Sequence, residues 1–185
     1  EEVASARRYA DASRAASTRR LYAQYFARFE EWCRQRGVNA LPASPAAVAT
    51  YLASCADAGL QAPTITGRLS AIAWAHRQAG LVPPQKCDAA APLLEVMAGI
   101  RRSRTAPVKK ARAAEVEALQ RMLATIPPDS LRALRDRAIL AVGMAAALRR
   151  SEIVALRVED LRFVPEGLVV TIRSSKTDQV GQGEA

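Results

Sequence analysis

Along residues 17–37 the apolar positions Leu21, Tyr22, Tyr25, Phe29, Trp32 and Cys33 recur at helical spacing among charged neighbours. That spacing predicts one helix with a single buried face, capped at Ser17 and ended by Gly37. "SPAAVATYLASCADAG" predicts a second helix, with Ser44 as cap, Pro45 in the first turn, Gly59 as stop and Val48, Tyr51, Leu52 and Cys55 as its stripe. A third runs over about 64–79 and turns Ile65, Leu69, Ile72 and Trp74 inward, and a shorter fourth carries Leu93, Val96, Met97 and Ile100. Four amphipathic helices with short Gly- and Pro-marked connections make a helical domain.

The pattern then breaks. "RRSRTAPVKKAR" has six basic residues, no acidic ones and a central proline, which disfavours continued helix while the charges repel one another. It reads as an extended linker. Beyond it, "AAEVEALQRMLATI" and "SLRALRDRAILAVGMAAAL" predict two more helices, the second largely buried, and another helix restarts near Ser151. "LRFVPEGLVVTIRSSK" switches to strand, with β-branched "VVTI" after a Pro-Glu-Gly turn. No partner for that strand is evident, and the second domain is expected to break off within a hairpin.

Composition narrows the partners. Lys and Arg number 27 against 18 Asp and Glu, a formal charge of +9, which favours an anionic partner, nucleic acid ahead of a membrane surface. The single sign of the linker charges suits a segment that tracks phosphates. Cys33, Cys55 and Cys87 are odd in number and lack a C-x-x-C pair, so a reduced intracellular protein is expected rather than a disulfide framework. With His76 the only histidine, structural zinc is not expected. The longest apolar run, residues 138–148, is too short to span a bilayer, and the charged first residues lack a signal core. These features predict a soluble cytoplasmic chain.

The candidate chemistry lies in "AAALRRSEIVALRVEDL". An apolar run ends in Arg149 and Arg150, and Glu152 follows three residues after the first. Arginine is rarely buried without a partner. Two structural readings apply: the arginines complement the dipole at the end of the preceding helix, or Arg149 pairs with Glu152 across one turn. Lys176 stands in "RSSKTDQ", where a lone lysine reads as exposed surface.

Together, "ALRRSEIVALRVEDL" and "VVTIRSSKTDQVGQG", preceded by a four-helix domain and a basic linker, resemble the tyrosine recombinase (phage integrase) family, including its Cre-type members. The resemblance runs over nearly the whole chain. "STRRLYAQYFARFEEWC" is similar to the first helix of the family's core-binding domain, "PTITGRLSAIAWAHRQAGL" to the helix that sits on DNA, and "VMAGIRRSRTAPVKKAR" to the linker. The resemblance implies a mainly α fold, with a four-helix core-binding (SAM-like) domain over 1–104, the linker over 105–112 and the first part of an α+β catalytic domain over 113–185. It implies a site-specific recombinase that breaks one DNA strand by tyrosine attack, giving a 3′-phosphotyrosyl link and a free 5′-hydroxyl. Arg149 matches the first catalytic arginine, Glu152 the supporting acid and Lys176 the hairpin lysine. A planar guanidinium meets the extra charge of the five-coordinate phosphorus with two parallel hydrogen bonds. Lysine suits protonation of the leaving 5′-oxygen, because desolvation beside other cations lowers an ammonium's pKa toward neutrality.

For DNA contact the resemblance implies Thr18, Arg19, Arg20, Thr66, Gly67 and Arg68 at helix starts. Arg101, Arg102, Lys109, Lys110 and Arg112 join them through the linker. It implies double-stranded DNA as partner, self-association on DNA in a full-length parent, no membrane, no metal or other cofactor, and a nucleoid-associated cytoplasmic location. Two departures stand out. Ala147 occupies the place of the family's usual glycine before the Leu-Arg pair, at a cost of about 1 kcal/mol if that turn needs positive φ. The family's His-x-x-Arg box and nucleophilic tyrosine also lack counterparts. Tyr9, Tyr22, Tyr25 and Tyr51 all lie in the first region and read as packing, and His76 as an ordinary helix histidine. The chain alone is therefore expected to be inactive. A non-catalytic recombinase-like DNA-binding module and a helical protein-interaction domain are the competing functions.

Overall fold

In the computed structural model the described residues are 2, 5, 9, 13–104 and 115–173. The chain folds as two units, Glu1–Lys109 and Lys110–Ala185. Most of the basic linker, with Lys109, Lys110 and Arg112, and the whole segment around Lys176 lie outside the described residues. Among the described residues the fold is mainly α, with one two-stranded sheet, and no helix is long and apolar enough to cross a membrane.

The first unit contains α1 (Ala16–Arg36), α2 (Pro45–Asp57), α3 (Ala62–Gln78) and α4 (Ala91–Ser103), with short 3-10 turns at Pro84–Lys86 and Asp88–Ala90. Ser44 caps α2 by accepting from the Ala47 N–H at 3.2 Å. Gly37 closes α1 in the left-handed region at φ 64°, while the Val38 N–H reaches back to the Cys33 carbonyl at 3.1 Å. Ser17 is not the cap of α1. The helix begins one residue earlier after extended Ala15, and no side chain caps it; spacing fixes a helical face but not its first residue.

The core of this unit joins all four helices through Phe29, Leu52, Ile65, Ile72, Leu93 and Met97. Leu21, on the predicted face of α1, stays exposed. The rings of Phe29 and Tyr51 sit 5.0 Å apart, and Trp32 meets Tyr51 edge-on at 5.5 Å. His76 is fully buried. Its Nε2 accepts from the Ala43 N–H at 2.9 Å and its Nδ1–H donates to the Ile72 carbonyl at 2.8 Å, so both ring nitrogens are used and the neutral tautomer is fixed. Arg104 donates to the Ala56 carbonyl near the end of α2, so one of the linker-proximal cations closes this unit.

The second unit contains α5 (Val116–Ala124), α6 (Leu131–Ala145) and α7 (Arg150–Ala155), a 3-10 turn at Val158–Asp160, and strands β1 (Leu161–Val164) and β2 (Gly167–Val170). Ser130 caps α6 by accepting from the Ala133 N–H at 3.2 Å. Arg137 of α6 donates to the Leu123 and Ile126 carbonyls at 2.5 and 2.8 Å, fastening the end of α5. Two expectations are corrected here. The strand has a partner: β1 pairs antiparallel with β2 from Leu161↔Val170 to Val164↔Gly167 around the Pro165-Glu166 turn. The charged Arg162 concealed β1, because it interrupts a run only four residues long. α6 is not largely buried: among the described residues only its Ala133 is enclosed, while Leu131, Leu134 and Ile139 are exposed. Two short helices and a two-stranded ribbon offer too little surface to enclose a helix of this length.

Candidate phosphate-engaging sites

The junction between α6 and α7 is built by backbone geometry. Ala146 ends the helix, and Ala147 adopts φ 50°, the only positive φ of a non-glycine residue among those described. The Leu148 N–H then donates to the Gly143 carbonyl at 2.9 Å and the Ala147 N–H to the Met144 carbonyl at 3.2 Å. This paired closure is the one glycine usually completes, and alanine in it is strained by about 1 kcal/mol. Gly143 contributes differently. A Cβ there would lie 2.8 Å from Ile153 Cδ1, so its absence lets α7 pack closely on α6.

The reversal delivers Arg149 as the N-cap of α7. Glu152, three residues on, turns back onto it with both oxygens: Oε2 accepts from the Arg149 N–H at 2.7 Å and Oε1 from Nη1 at 2.8 Å. One buried carboxylate thus fixes the backbone and the guanidinium of the same residue. The Arg149 side chain keeps 48% of its exposure. With Nη1 engaged, its Nε and Nη2 edge is free of hydrogen bonds to the described residues and suits a tetrahedral anion.

The same device recurs eight residues later, where the sequence reading had not found it. Asp160 Oδ2 accepts from the Arg157 N–H at 2.9 Å, while Oδ1 accepts from Arg173 Nε at 2.6 Å. Arg173 Nη2 also donates to Glu159 Oε1 at 2.6 Å. The Arg157 N–H, then the Arg173 guanidinium, hold the Asp160 carboxyl below its ordinary value despite burial. Asp160 also receives the Thr171 N–H on its carbonyl at 2.9 Å, so the turn after α7 is tied to the exit of β2. Between the two clamps lies a recess of about 220 Å³, with Glu152, Leu156, Asp160 and Arg173 on its walls. The signal for Asp160 was available as a second Arg-x-x-acid spacing; nothing local marked Arg173.

In the first unit, α1 and α3 pack antiparallel, with Tyr25 beside Gly67 and the rings of Tyr22 and Trp74 6.0 Å apart. Thr18, Arg19 and Arg20 therefore lie toward the C-terminal end of α3, about two turns from Thr66, Gly67 and Arg68. Arg20, Arg101 and Arg102 are exposed. A Cβ on Gly67 would come within 3.2 Å of Tyr25 Cε2, which gives that glycine a packing reason. The Arg68 guanidinium turns inward and donates from Nη1 to Tyr51 Oη and Cys55 Sγ, each at 3.0 Å. Burial pushes the Tyr51 phenol up to about 12. Tyr51 is buried and Tyr22 and Tyr25 are half-buried, as packing requires, but Tyr9 is largely exposed.

No protein-family model matches the chain. It is 34% identical over 179 residues, 97% of its length, to an integrase/recombinase xerD homolog of Selenomonas ruminantium. The chain spans about half the length of that relative, 52%.

Proposed function

We propose that this chain is part of a site-specific tyrosine recombinase, carrying a DNA-engaging helical unit and the first catalytic residues. The observation that carries this reading is the Arg149–Glu152 clamp, set in a chain that aligns over 97% of its length with a protein named as an integrase/recombinase. Arg149 binds the scissile phosphate and meets the charge that develops on five-coordinate phosphorus, with its orientation fixed in advance by Glu152. Lys176 protonates the leaving 5′-oxygen. Glu152 positions and does not enter the chemistry. Thr18, Arg19, Arg20, Thr66, Arg101 and Arg102, with Lys109, Lys110 and Arg112, contact duplex DNA, and protomers associate on that DNA in the full-length protein. Gly67 allows the close helix approach there, and Arg68 enters the same surface only so far as Tyr51 and Cys55 release it.

The charge distribution supports the division of labour. Residues 1–109 hold 15 Lys and Arg against 8 Asp and Glu, and residues 110–185 hold 12 against 10. Binding to duplex DNA is therefore expected to fall steeply with salt, log K changing by roughly 0.9 per phosphate contacted against log salt. Replacing Lys109, Lys110 and Arg112 by alanine flattens that slope.

The deciding experiment places Arg149→Ala in the full-length recombinase and presents a nicked suicide substrate. Loss of the covalent adduct with near-normal DNA affinity supports the assignment, since the contribution arises mainly in the transition state. Equal adduct from both proteins overturns it. A second reading, a non-catalytic DNA-binding module, draws on one observation: Tyr22, Tyr25 and Tyr51 all take part in packing within the first unit. A covalent adduct formed by this chain alone, mapped to one of its four tyrosines, excludes that second reading and the expected inactivity together.

A further inference from the structure

Arg68 is a partly buried cation with an unusual set of partners. Its Nη1 donates to the Tyr51 phenol and the Cys55 sulfur, and no carboxylate pairs with it among the described residues. The faces of Tyr25 and Tyr51 lie 5.9 and 5.8 Å from its central carbon and offset part of the charge. They supply no counter-ion. A guanidinium withdrawn from water without one is costly.

That guanidinium stands on the wall of a cavity of about 340 Å³ formed by α1, α2 and α3. Two N–H donors on residues of the same wall, Arg68 Nε and Trp32 Nε1, are shielded from solvent and have no hydrogen-bond partner among the described residues. An acceptor held in the cavity would supply the partner that these donors lack. Arg28 adds a second, exposed cation at the rim. Leu60 and the Trp32 ring supply apolar wall. The chemistry wanted is an acceptor with one negative charge on a short apolar stem.

We propose that this cavity is a docking site for a carboxylate side chain of an acidic peptide segment on a partner protein, received by Arg68, Trp32 and Arg28. Glu31 argues against a nucleic-acid occupant. Its carboxylate also lines the cavity, ionised and held by Arg34 and Gln35, and repels a continuous phosphate backbone more than a single carboxylate. The excess of cations in the first unit favours acidic partners in general. The proposal does not require the recombinase assignment, although both draw on Arg68.

The test uses the 185-residue chain labelled with ¹⁵N and follows its two indole N–H resonances. The probes are an acetylated, amidated hexaglutamate peptide, inorganic phosphate and a short DNA duplex, each titrated at constant ionic strength. The expected result is a saturable shift of the Trp32 resonance with the peptide, little change at Trp74, and weaker responses to phosphate and duplex. Arg68→Lys is expected to reduce peptide affinity about tenfold. Arg28→Ala, at an exposed position that leaves the fold intact, is expected to reduce it about threefold, and decides the matter if Arg68→Lys does not fold. An unmoved Trp32 resonance means that water alone satisfies the cavity and overturns the proposal. So does a Trp32 shift at least as large with duplex or phosphate as with the peptide. DNA affinity measured separately by gel shift reports on the recombinase reading, so the two can fail independently.

Discussion

The two units of this chain are held by different forces. In the first, buried apolar side chains from four helices meet in one cluster, and the buried polar group, His76, is matched at both nitrogens. In the second, the buried residues among those described are Ala133, Glu152 and Asp160, so two of the three are carboxylates. Apolar burial is non-directional and scales with area, whereas a clamped carboxylate depends on a few hydrogen bonds and on protonation state. The first unit should therefore yield to cavities and the second to lost charge.

The sharpest way to break this contrast is to cut an aromatic ring from each unit. Phe29→Ala is expected to cost about 3–5 kcal/mol, read as an earlier loss of tryptophan fluorescence in urea; Trp32 and Trp74 both belong to the first unit. Phe163→Ala in the second unit, where the ring is 85% exposed, is expected to stay within about 0.5 kcal/mol. Similar costs for both would remove the distinction. Next in size, His76→Leu leaves the Ala43 N–H unpaired in the core and removes the second donor from the Ile72 carbonyl, which the helix still pairs, a loss of about 1–3 kcal/mol visible in the same fluorescence transition.

Smaller effects are expected in the second unit. Glu152→Ala should cost about 1–2 kcal/mol, below the value for a fully buried pair because the Arg149 side chain is half exposed; amide exchange along α7 measures it. Asp160 adds a pH dependence. Its native pKa lies below the ordinary 3.8, so its stabilisation is complete above that value and lost as pH falls from there through the lowered native pKa. Asp160→Asn should abolish this acid limb of amide exchange in the turn and β2. An unchanged limb would assign it to other carboxylates. The smallest change sharpens the comparison by strengthening the weaker unit: Ala147→Gly is expected to gain about 1 kcal/mol or somewhat less, since glycine relieves φ 50° but frees the unfolded chain.

The same division decides what could be read in the sequence. Helices of the first unit are punctuated by residues whose local chemistry sets their role, such as Gly37 and Ser44, and their stripes are long enough to show a period. The Arg149–Glu152 pair was legible because both partners lie within one helical turn. The Asp160–Arg173 pair was not, since its members are thirteen residues apart and meet only after β1 and β2 have paired. Arg104 read as part of a phosphate-tracking charge run, yet its acceptor is a carbonyl 48 residues earlier that no charge pattern announces. The inward turn of Arg68 was hidden for the same reason: Tyr51 and Cys55 belong to the preceding helix.

The closure at the end of α6 has a consequence for how this chain tolerates change in length. The bond from Leu148 to Gly143 closes a ring whose size is set by the number of residues within it, while the Arg149–Glu152 clamp is complete within the four residues that follow. Substitutions in the ring alter its strain by small steps. An inserted or deleted residue between Gly143 and Leu148 instead breaks the closure and carries the intact clamp away from its position on α6. Apart from Gly143, whose missing Cβ makes room for Ile153, and Ala147 at its positive φ, this short stretch should tolerate new side chains better than any change of count.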